Sequence, residues 1–296
     1  MQVNDKTISL VLGSGGARGL AHIGIINELT SQGYKIESIS GCSIGALIGG
    51  VYAAGKLPEF EEWVRAIDKT DIVSLLDLTW RPDGLVKGDK IISTLTELVG
   101  DQTIESLPIS FTAIAADIDE EKEVWINSGS LFDAIRASIS LPLFFSPVEY
   151  DGSFLVDGGI LNPVPIAPTF HDKTEHTIAV NLGAPVDPNL YSAVSQHHHE
   201  NPNPDFRDKV RHFVEKLYKG ESALERSLSM YDVANQAFDS MQGSIARQKL
   251  AAYPPDFLIE VPRNACGILE FHKAERVIEL GYAKAREFLQ QNQHKF

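Results

Sequence analysis

The sequence predicts an α/β protein: a three-layer sandwich with a mostly parallel central sheet, followed by a helical C-terminal portion. Near the N terminus, short apolar segments alternate with helical patterns in the order strand, helix, strand, helix. This order favours a parallel sheet whose two faces are both covered by helices. The first two predicted strands end at glycine-rich junctions, and a chain of 296 residues, 43% of them hydrophobic, can bury a large core.

The predicted strands lie mainly in the first two thirds of the chain. Residues 7–12 form an apolar run that predicts a buried first strand ending at a glycine cluster. Isoleucine and leucine at three-residue spacing predict a helix over residues 20–32, and a second strand over residues 35–40 leads into a small-residue helix that ends at Ala54. The later predictions are helical periodicity over residues 60–67, strands over residues 111–116, 123–126 and 177–182, and a helix over residues 132–139.

The last third of the chain is predicted to be mainly helical. Residues 184–204 are rich in Pro, Asn and His, which is typical of a surface loop or lid-like insertion. A helical pattern follows up to Ala252, then a last strand over residues 257–261 and a terminal helix over residues 270–290. The helical pattern has an apolar stripe that we interpret as core, formed by Val233, Ala237, Phe238, Met241 and Ile245. We therefore divide the chain into a core (residues 7–182), a loop or lid-like insertion (183–205) and C-terminal helices with the last strand packed on the core (206–296).

Charge and cysteine content limit the functions that this chain can have. The 26 basic and 40 acidic residues give a net charge of −14, which repels nucleic acid phosphates and, on average, anionic membrane surfaces. We therefore expect no nucleic acid partner, and any lipid contact depends on a local apolar or basic patch. Two cysteines cannot form a disulfide framework, and the N terminus lacks a signal-peptide pattern. No apolar run reaches the roughly 18–20 residues of a spanning helix, so we expect a soluble, cytoplasmic protein.

Residues 41–45, Gly-Cys-Ser-Ile-Gly, are the most informative segment of the chain. They follow the second predicted strand and open the small-residue helix. A G-x-S-x-G sequence in this context is typical of a nucleophile elbow. Gly41 and Gly45 permit a sharp turn that holds Ser43 at a helix N terminus, where unpaired N–H groups and the helix dipole favour negative charge. An ordinary βα turn is the alternative, because glycine and serine also cluster in such turns.

Residues 13–19, Gly-Ser-Gly-Gly-Ala-Arg-Gly, follow the first predicted strand. Glycines at such a junction let N–H groups converge on an anion. A dinucleotide-binding turn would need a glycine in place of Arg18 and an acidic residue at the end of the second strand, and both are missing. In an oxyanion hole, the N–H groups of Gly15 and Gly16 would stabilise a tetrahedral intermediate by about 3–4 kcal/mol each. Arg18 would then be a structural pin or a charge aid, and a tight turn without a ligand is the third interpretation.

A third segment, Asp157-Gly158-Gly159, follows the apolar residues 153–156. A serine hydroxyl needs a base to become a nucleophile, and an aspartate can serve as that base. The glycines beside Asp157 let a serine and a substrate approach its carboxylate closely. By itself the segment would be interpreted as an Asp-Gly hairpin turn.

Taken in this order, the three segments resemble the patatin-like phospholipase family. The resemblance is greatest to its bacterial one-domain members, which are similar to the catalytic domain of neuropathy target esterase. Residues 136–142 and 155–165 also resemble family segments, as do residues 271–274 and 278–282 near the C terminus. The main match runs from about residue 8 to residue 181, so the predicted core would be the family's catalytic domain.

The resemblance implies a serine acyl hydrolase that acts through a Ser–Asp dyad and needs no metal or cofactor. Ser43 would be the nucleophile and Asp157 the base, with Gly15, Gly16 and Arg18 forming the oxyanion hole. The glycines that support these segments are Gly41, Gly45, Gly158 and Gly159. The expected substrate is a fatty-acyl ester of a phospholipid, a lysophospholipid or a simpler lipid. The resemblance allows peripheral contact with the inner face of a membrane and indicates no particular protein partner.

Three alternatives stay open at this stage. His171, His176 and His272 follow Asp157, which matches the Ser…Asp…His order of α/β-hydrolase triads, although the elbow lies unusually early in the chain. The protein could instead be a weakly active or inactive relative that binds a partner and regulates it. A nucleotide-binding module is the third alternative.

A fatty-acyl substrate also needs an apolar groove. Two segments are candidates, although apolar runs of this kind also occur in ordinary cores. They comprise Leu75, Leu76, Leu78 and Trp80 in the first segment and Leu143, Phe144 and Phe145 in the second. We hypothesise that part of one segment lines the acyl channel.

Overall fold

The structure is a computed structural model that describes residues 6–67, 88–142, 144–190 and 230–294. Its strands are β1 (Thr7–Leu12), β2 (Lys35–Cys42), β3 (Ser110–Asp117), β4 (Lys122–Ile126), β5 (Val148–Tyr150), β6 (Ser153–Asp157), β7 (His176–Ala184) and β8 (Phe257–Pro262). Its helices are α1 (Ala21–Ser31), α2 (Ile44–Ala53), α3 (Leu57–Ala66), α4 (Asp89–Val99), α5 (Leu131–Ser138), α6 (Met230–Ala252) and α7 (Ala274–Asn292). Short 3₁₀ turns include Gly16–Leu20, Gly158–Ile160 and Phe271–Lys273.

The strands form one mixed, mostly parallel sheet in the order β5-β6-β3-β2-β1-β7-β8, with β4 paired to β3 beside this path. The pairs that join β3, β2, β1, β7 and β8 are parallel. The pairs that add β4, β5 and β6 are antiparallel. This arrangement confirms the predicted α/β fold class.

Helices cover both faces of this sheet. Val11 and Leu12 are consecutive residues of β1, so their side chains point to opposite faces. Leu12 lies beside Gly49 of α2, whereas Val11 belongs to a buried cluster with Ala246 of α6. On the α2 side, α7 packs against α1, and β8 pairs with β7 at the sheet edge. The three layers and the C-terminal helix therefore agree with the prediction.

The register of β3 brings two strand ends together. Cys42, the last residue of β2, pairs with Ile114 of β3, and Asp157, the last residue of β6, pairs with Ala115. Because β2 is parallel and β6 antiparallel to β3, the two strands run toward each other and end at neighbouring positions. Ser43 follows Cys42 directly, so the sheet places Ser43 next to Asp157.

Helix α6 buries a different face from the predicted one. Val233 and Met241, which belong to the predicted apolar stripe, are 51% and 57% exposed. Gln242 and Ala246 are buried instead. The interpretation of the stripe as core was wrong. Ala246 packs on the sheet, and the Gln242 amide meets polar partners, at positions where large apolar residues were expected.

The chain divides into two compact units, residues 1–186 with 239–296 and residues 187–238. The larger unit contains the whole sheet. In the smaller unit the structure describes residues 187–190 and the start of α6. The predicted boundaries of the insertion stay a prediction, since residues 191–229 lie outside the described residues. Over the described ranges, no helix combines the length and the apolar character needed to cross a membrane.

Candidate active site

Ser43 occupies a strained turn between β2 and α2. Its backbone has φ of 57° and ψ of −125°, a conformation rarely adopted by residues other than glycine. Its N–H donates to Oγ of Ser138 at 2.9 Å, and that hydroxyl donates to the carbonyl of Ile114 at 2.6 Å. The backbone of Ser43 is therefore bound within the protein, and the turn presents the Ser43 hydroxyl.

The glycines around this turn lie where no side chain fits. A Cβ atom at any of them would come within 2.6 Å of another atom, which would force neighbouring segments apart. These glycines are Gly41, Gly45, Gly158 and Gly159. Two of them flank Ser43 and two follow Asp157, so both segments depend on close backbone approach.

Ser43 and Asp157 are joined by a short hydrogen bond. The Ser43 hydroxyl donates to Oδ2 of Asp157 at 2.5 Å. The other carboxylate oxygen, Oδ1, accepts the N–H of Gly159 at 2.7 Å and lies 4.0 Å from Sγ of Cys42. Asp157 is only 1% exposed, so the hydroxyl and the carboxylate meet directly in a site shielded from water.

Burial sets the ionisation of these side chains. It raises the pKa of Asp157 to about 6, although the hydrogen bonds from Ser43 and Gly159 act in the opposite direction. It also raises the pKa of Cys42 well above the ordinary value, and the negative charges of Asp157 and Glu123 add to this effect. At neutral pH the Asp157 carboxylate is ionised and is a stronger base than an exposed carboxylate, while Cys42 is a neutral thiol.

The glycine loop, residues 13–19, has two N–H groups without an acceptor in the part of the chain that the structure describes. The N–H groups of Gly13, Ser14 and Ala17 donate to backbone carbonyls of other segments at 2.7–3.1 Å. Those of Gly15 and Gly16 have no acceptor among the described residues. Gly16 has φ of 57°, and a Cβ there would lie 2.5 Å from a carbonyl oxygen, so this position needs glycine. The loop thus offers two adjacent donors to an anion.

Side chains hold the carbonyl groups of the same loop. Nε2 of His22 donates to the carbonyl of Gly13 at 2.9 Å, and burial lowers the pKa of His22 to about 4. Nε of Arg18 donates to the carbonyl of Gly15 at 3.0 Å, and its Nη2 pairs with Asp239 at 2.8 Å. The remaining nitrogen, Nη1, donates to a backbone carbonyl at 3.3 Å. This geometry favours Arg18 as a pin of the loop over Arg18 as a direct charge aid.

An apolar cavity of about 150 Å³ opens beside Ser43. Gly16 and Ser43 contribute to its wall, and nearly all the other lining side chains are aliphatic or aromatic. They include Leu47, Phe60, Trp63, Ile91, Leu95, Phe145 and Phe271. The serine hydroxyl and a candidate oxyanion donor therefore lie on the wall of a pocket suited to a hydrocarbon chain.

Comparison with known proteins identifies the family. A family profile described as patatin-like phospholipase matches residues 10–170. The chain belongs to the patatin-like phospholipase family. This confirms the resemblance stated above, and membership in the family supports lipid hydrolase activity.

Individual relatives of this patatin-like protein include one of similar length. An uncharacterized NTE family protein of Mycobacterium tuberculosis is 37% identical, over 97% of this chain and 92% of its own length. Lysophospholipase NTE1 of Kluyveromyces lactis is 28% identical over 99% of this chain, which corresponds to 20% of that protein. The crystal structure of VipD from Legionella pneumophila matches with a TM-score of 0.50 at 14% identity, covering 97% of this chain and 67% of that one. This last likeness concerns the fold alone.

The patatin-like structure gathers the predicted site residues at one edge of the sheet, but it separates one histidine from them. Ser43 reaches Asp157 without an intervening imidazole. His176 begins β7, which is parallel to β1 and β2, so it lies at the edge of the sheet opposite to Ser43. Of the two predicted groove segments, Phe145 lines the cavity. Leu143 and the segment 75–80 lie outside the described residues.

Several residues at this patatin-like site were not predicted. Ser138 lies within a segment that resembles the family, which was a usable signal for its importance. Gln242 and Asp239 come from α6, far away in sequence, and no local pattern marks them. The aromatic residues of α3 showed helical periodicity, but their position beside the cavity depends on tertiary packing.

Proposed function

We propose that this protein is a serine acyl hydrolase that cleaves fatty-acyl esters through Ser43 and Asp157. The observation that carries the proposal is the 2.5 Å hydrogen bond from the Ser43 hydroxyl to a buried carboxylate, at the wall of an apolar cavity. Substrates would be phospholipids, lysophospholipids or simpler lipid esters. The name of the Kluyveromyces relative, a lysophospholipase, supports this class.

In the first half of the reaction, Asp157 takes the proton of the Ser43 hydroxyl as Oγ attacks the ester carbonyl carbon. The carbonyl π electrons move to oxygen, and the N–H groups of Gly15 and Gly16 stabilise the resulting oxyanion. The intermediate then collapses, the C–O bond to the alcohol breaks, and protonated Asp157 returns the proton to the leaving oxygen. An acyl-enzyme on Ser43 remains.

In the second half, Asp157 accepts a proton from a water molecule that attacks the acyl carbon. The same two N–H groups stabilise the second oxyanion. Collapse breaks the bond to Oγ of Ser43, which takes the proton back from Asp157, and the fatty acid leaves. A pKa of about 6 lets Asp157 be both ionised and basic at neutral pH, as this mechanism needs.

The proposal is tested by fluorophosphonate labelling with peptide mapping, alongside hydrolysis of p-nitrophenyl butyrate. We expect the label on Ser43 of the wild type, none on Ser43→Ala, and a strongly reduced rate on Asp157→Asn. Ser93→Ala is the control, because that exposed hydroxyl bonds only to its own helix. A folded wild type that neither labels nor turns over would overturn the proposal and favour the partner-binding alternative.

Contact with a membrane stays a prediction. If the substrate is a membrane lipid, the protein should sediment with phosphatidylcholine vesicles that contain lysophospholipid. Hydrolysis of monomeric esters together with no vesicle binding would limit the substrates to dispersed lipids.

A further inference from the structure

Helix α6 faces the candidate active site with two polar residues, one helical turn apart. Asp239 and Gln242 are at positions i and i+3, so they lie on the same side of the helix. Asp239 is 33% exposed and Gln242 is 7% exposed. Neither belongs to the segments that carry the family resemblance, and both contact the glycine loop.

Asp239 acts on the loop through Arg18. Its carboxylate pairs with Nη2 of Arg18 at 2.8 Å, and Nε of Arg18 donates to the carbonyl of Gly15 at 3.0 Å. That carbonyl and the N–H of Gly16 belong to one planar peptide unit and point in opposite directions. Fixing the carbonyl therefore fixes the direction of the Gly16 N–H, which has no acceptor among the described residues; Gly16 and Ser43 line the same cavity.

Gln242 bridges the loop and the Asp157 turn. Its Nε2 donates to the Ser14 hydroxyl at 3.2 Å. A Cβ atom at Gly159 would lie 2.1 Å from this Nε2 and 3.0 Å from Oδ1 of Asp157. The Gln242 amide thus occupies the space that a side chain at 159 would fill, close to the carboxylate. Among the described residues, the titratable group in contact with that carboxylate is Cys42 on β2, a neutral thiol.

We propose that Asp239 and Gln242 of α6 are positioning residues, which orient the oxyanion donor of the glycine loop and hold the Asp157 turn against it. The inference rests on the proposed function. It adds that α6, which covers the face of the sheet opposite to α2, helps to set the geometry of the oxyanion hole together with the loop sequence.

Asp239→Asn tests the first contact. The neutral amide weakens the hold on Arg18, so kcat for p-nitrophenyl butyrate should fall about tenfold with KM nearly unchanged, because an oxyanion donor acts mainly in the transition state. Asp239→Glu should recover most of kcat. Glu287→Gln is the matched control, since it breaks a 2.9 Å ion pair on α7 away from the loop.

Gln242→Glu tests the second contact by a pH profile. A carboxylate placed beside Asp157 disfavours its ionised form, so the acid limb of kcat/KM should move to higher pH. Gln248→Glu makes the same change at an exposed position of the same helix and should leave the limb in place. Gln242→Met removes the hydrogen bond to Ser14 and keeps a side chain of similar size. It is the second variant to measure if Gln242→Glu does not fold.

The outcomes separate the two proposals. A wild type without turnover or labelling overturns the proposed function and this inference with it. An active wild type whose Asp239→Asn and Gln242 variants match their controls overturns this inference alone. A fall in kcat that Asp239→Glu does not recover, with a parallel loss of thermal stability, would also overturn it, since that result indicates a structural role only.

Discussion

The junctions that follow β1 and β2 both connect a strand of the sheet to a helical segment. They differ in whether the protein binds their backbone N–H groups. After β2, the N–H of Ser43 is bound by Ser138, and the junction presents a side chain. After β1, the N–H groups of Gly15 and Gly16 are free of acceptors among the described residues, while side chains hold the loop carbonyls. The comparison indicates that two similar turns can support different chemistry. The hydrogen-bond partners of the backbone N–H and C=O groups decide whether a junction presents a side chain or free N–H donors.

The largest effect should come from the elbow side. Asp157→Asn replaces the proton acceptor of Ser43 with an amide, so kcat/KM for p-nitrophenyl butyrate should fall about 10³-fold. Asp256→Asn is the control. The Asp256 carboxylate accepts a hydrogen bond from the backbone N–H of Thr177, with an N···O distance of 2.7 Å, and does not belong to the candidate active site. Retention of more than a tenth of the activity would show that Asp157 is not the base.

On the loop side, Gly16→Ala should lower kcat about 10²-fold with a small change in KM, because the Cβ would displace an oxyanion donor. Gly33→Ala is the matched control: Gly33 also has positive φ, at 85°, but no atom lies within 4 Å of its Cβ position. Equal losses in the two variants would assign the effect to backbone strain in general.

The strand–turn–helix form of both junctions was predictable because each is a local pattern, while their chemical roles stay predictions. Residues 41–45 and 13–19 have glycines in the spacing that is typical of tight turns. The strands that precede them, β1 and β2, were recognisable as extended segments. The antiparallel strands β5 and β6 were not predicted: β5 has only three residues, and the apolar residues 153–156 were not interpreted as a strand. Their position matters nonetheless, because β6 delivers Asp157 to the end of β2.

The supports of the site could not be predicted, since they come from distant parts of the chain. Nothing near Ser14 in the sequence points to Gln242, which lies 228 residues away. On α6 the apolar stripe was a misleading signal, because Met241 is exposed while its neighbour Gln242 is buried. Hydrophobic periodicity assumes that the inward face is apolar, and this assumption fails where a helix packs on polar loops.

The two junctions should also differ in their response to pH. The imidazole of His22, which holds the loop, has a pKa of about 4 when folded, against an ordinary value of 6.5. The unfolded chain therefore binds a proton first, and stability is lost as pH falls from 6.5 to 4. In His22→Gln this loss should shrink by about 2 kcal/mol, measured by urea unfolding at both pH values.

His171→Gln is the control for that measurement, since His171 is exposed. It should leave the acid-dependent loss of stability unchanged. If His22→Gln loses as much stability as the wild type, the buried imidazole does not contribute to the acid sensitivity of the fold.

The smallest effect should concern acyl selectivity. Leu47 lies one turn after Ser43 and lines the cavity, so Leu47→Phe should shift kcat/KM from octanoate toward butyrate p-nitrophenyl esters about fivefold. Leu258→Phe, at a 36% exposed position on β8, is the control. An unchanged ratio would place the acyl chain outside this cavity.

The most direct test of the dyad is the pH dependence of kcat/KM, measured on the wild type and on a variant in which His171, His176 and His272 are all alanine. A Ser–Asp dyad predicts the same acid limb in both proteins, with half-maximal activity near the Asp157 pKa of about 6. Loss of turnover or of this limb in a folded triple variant would contradict the dyad and assign the base to a histidine.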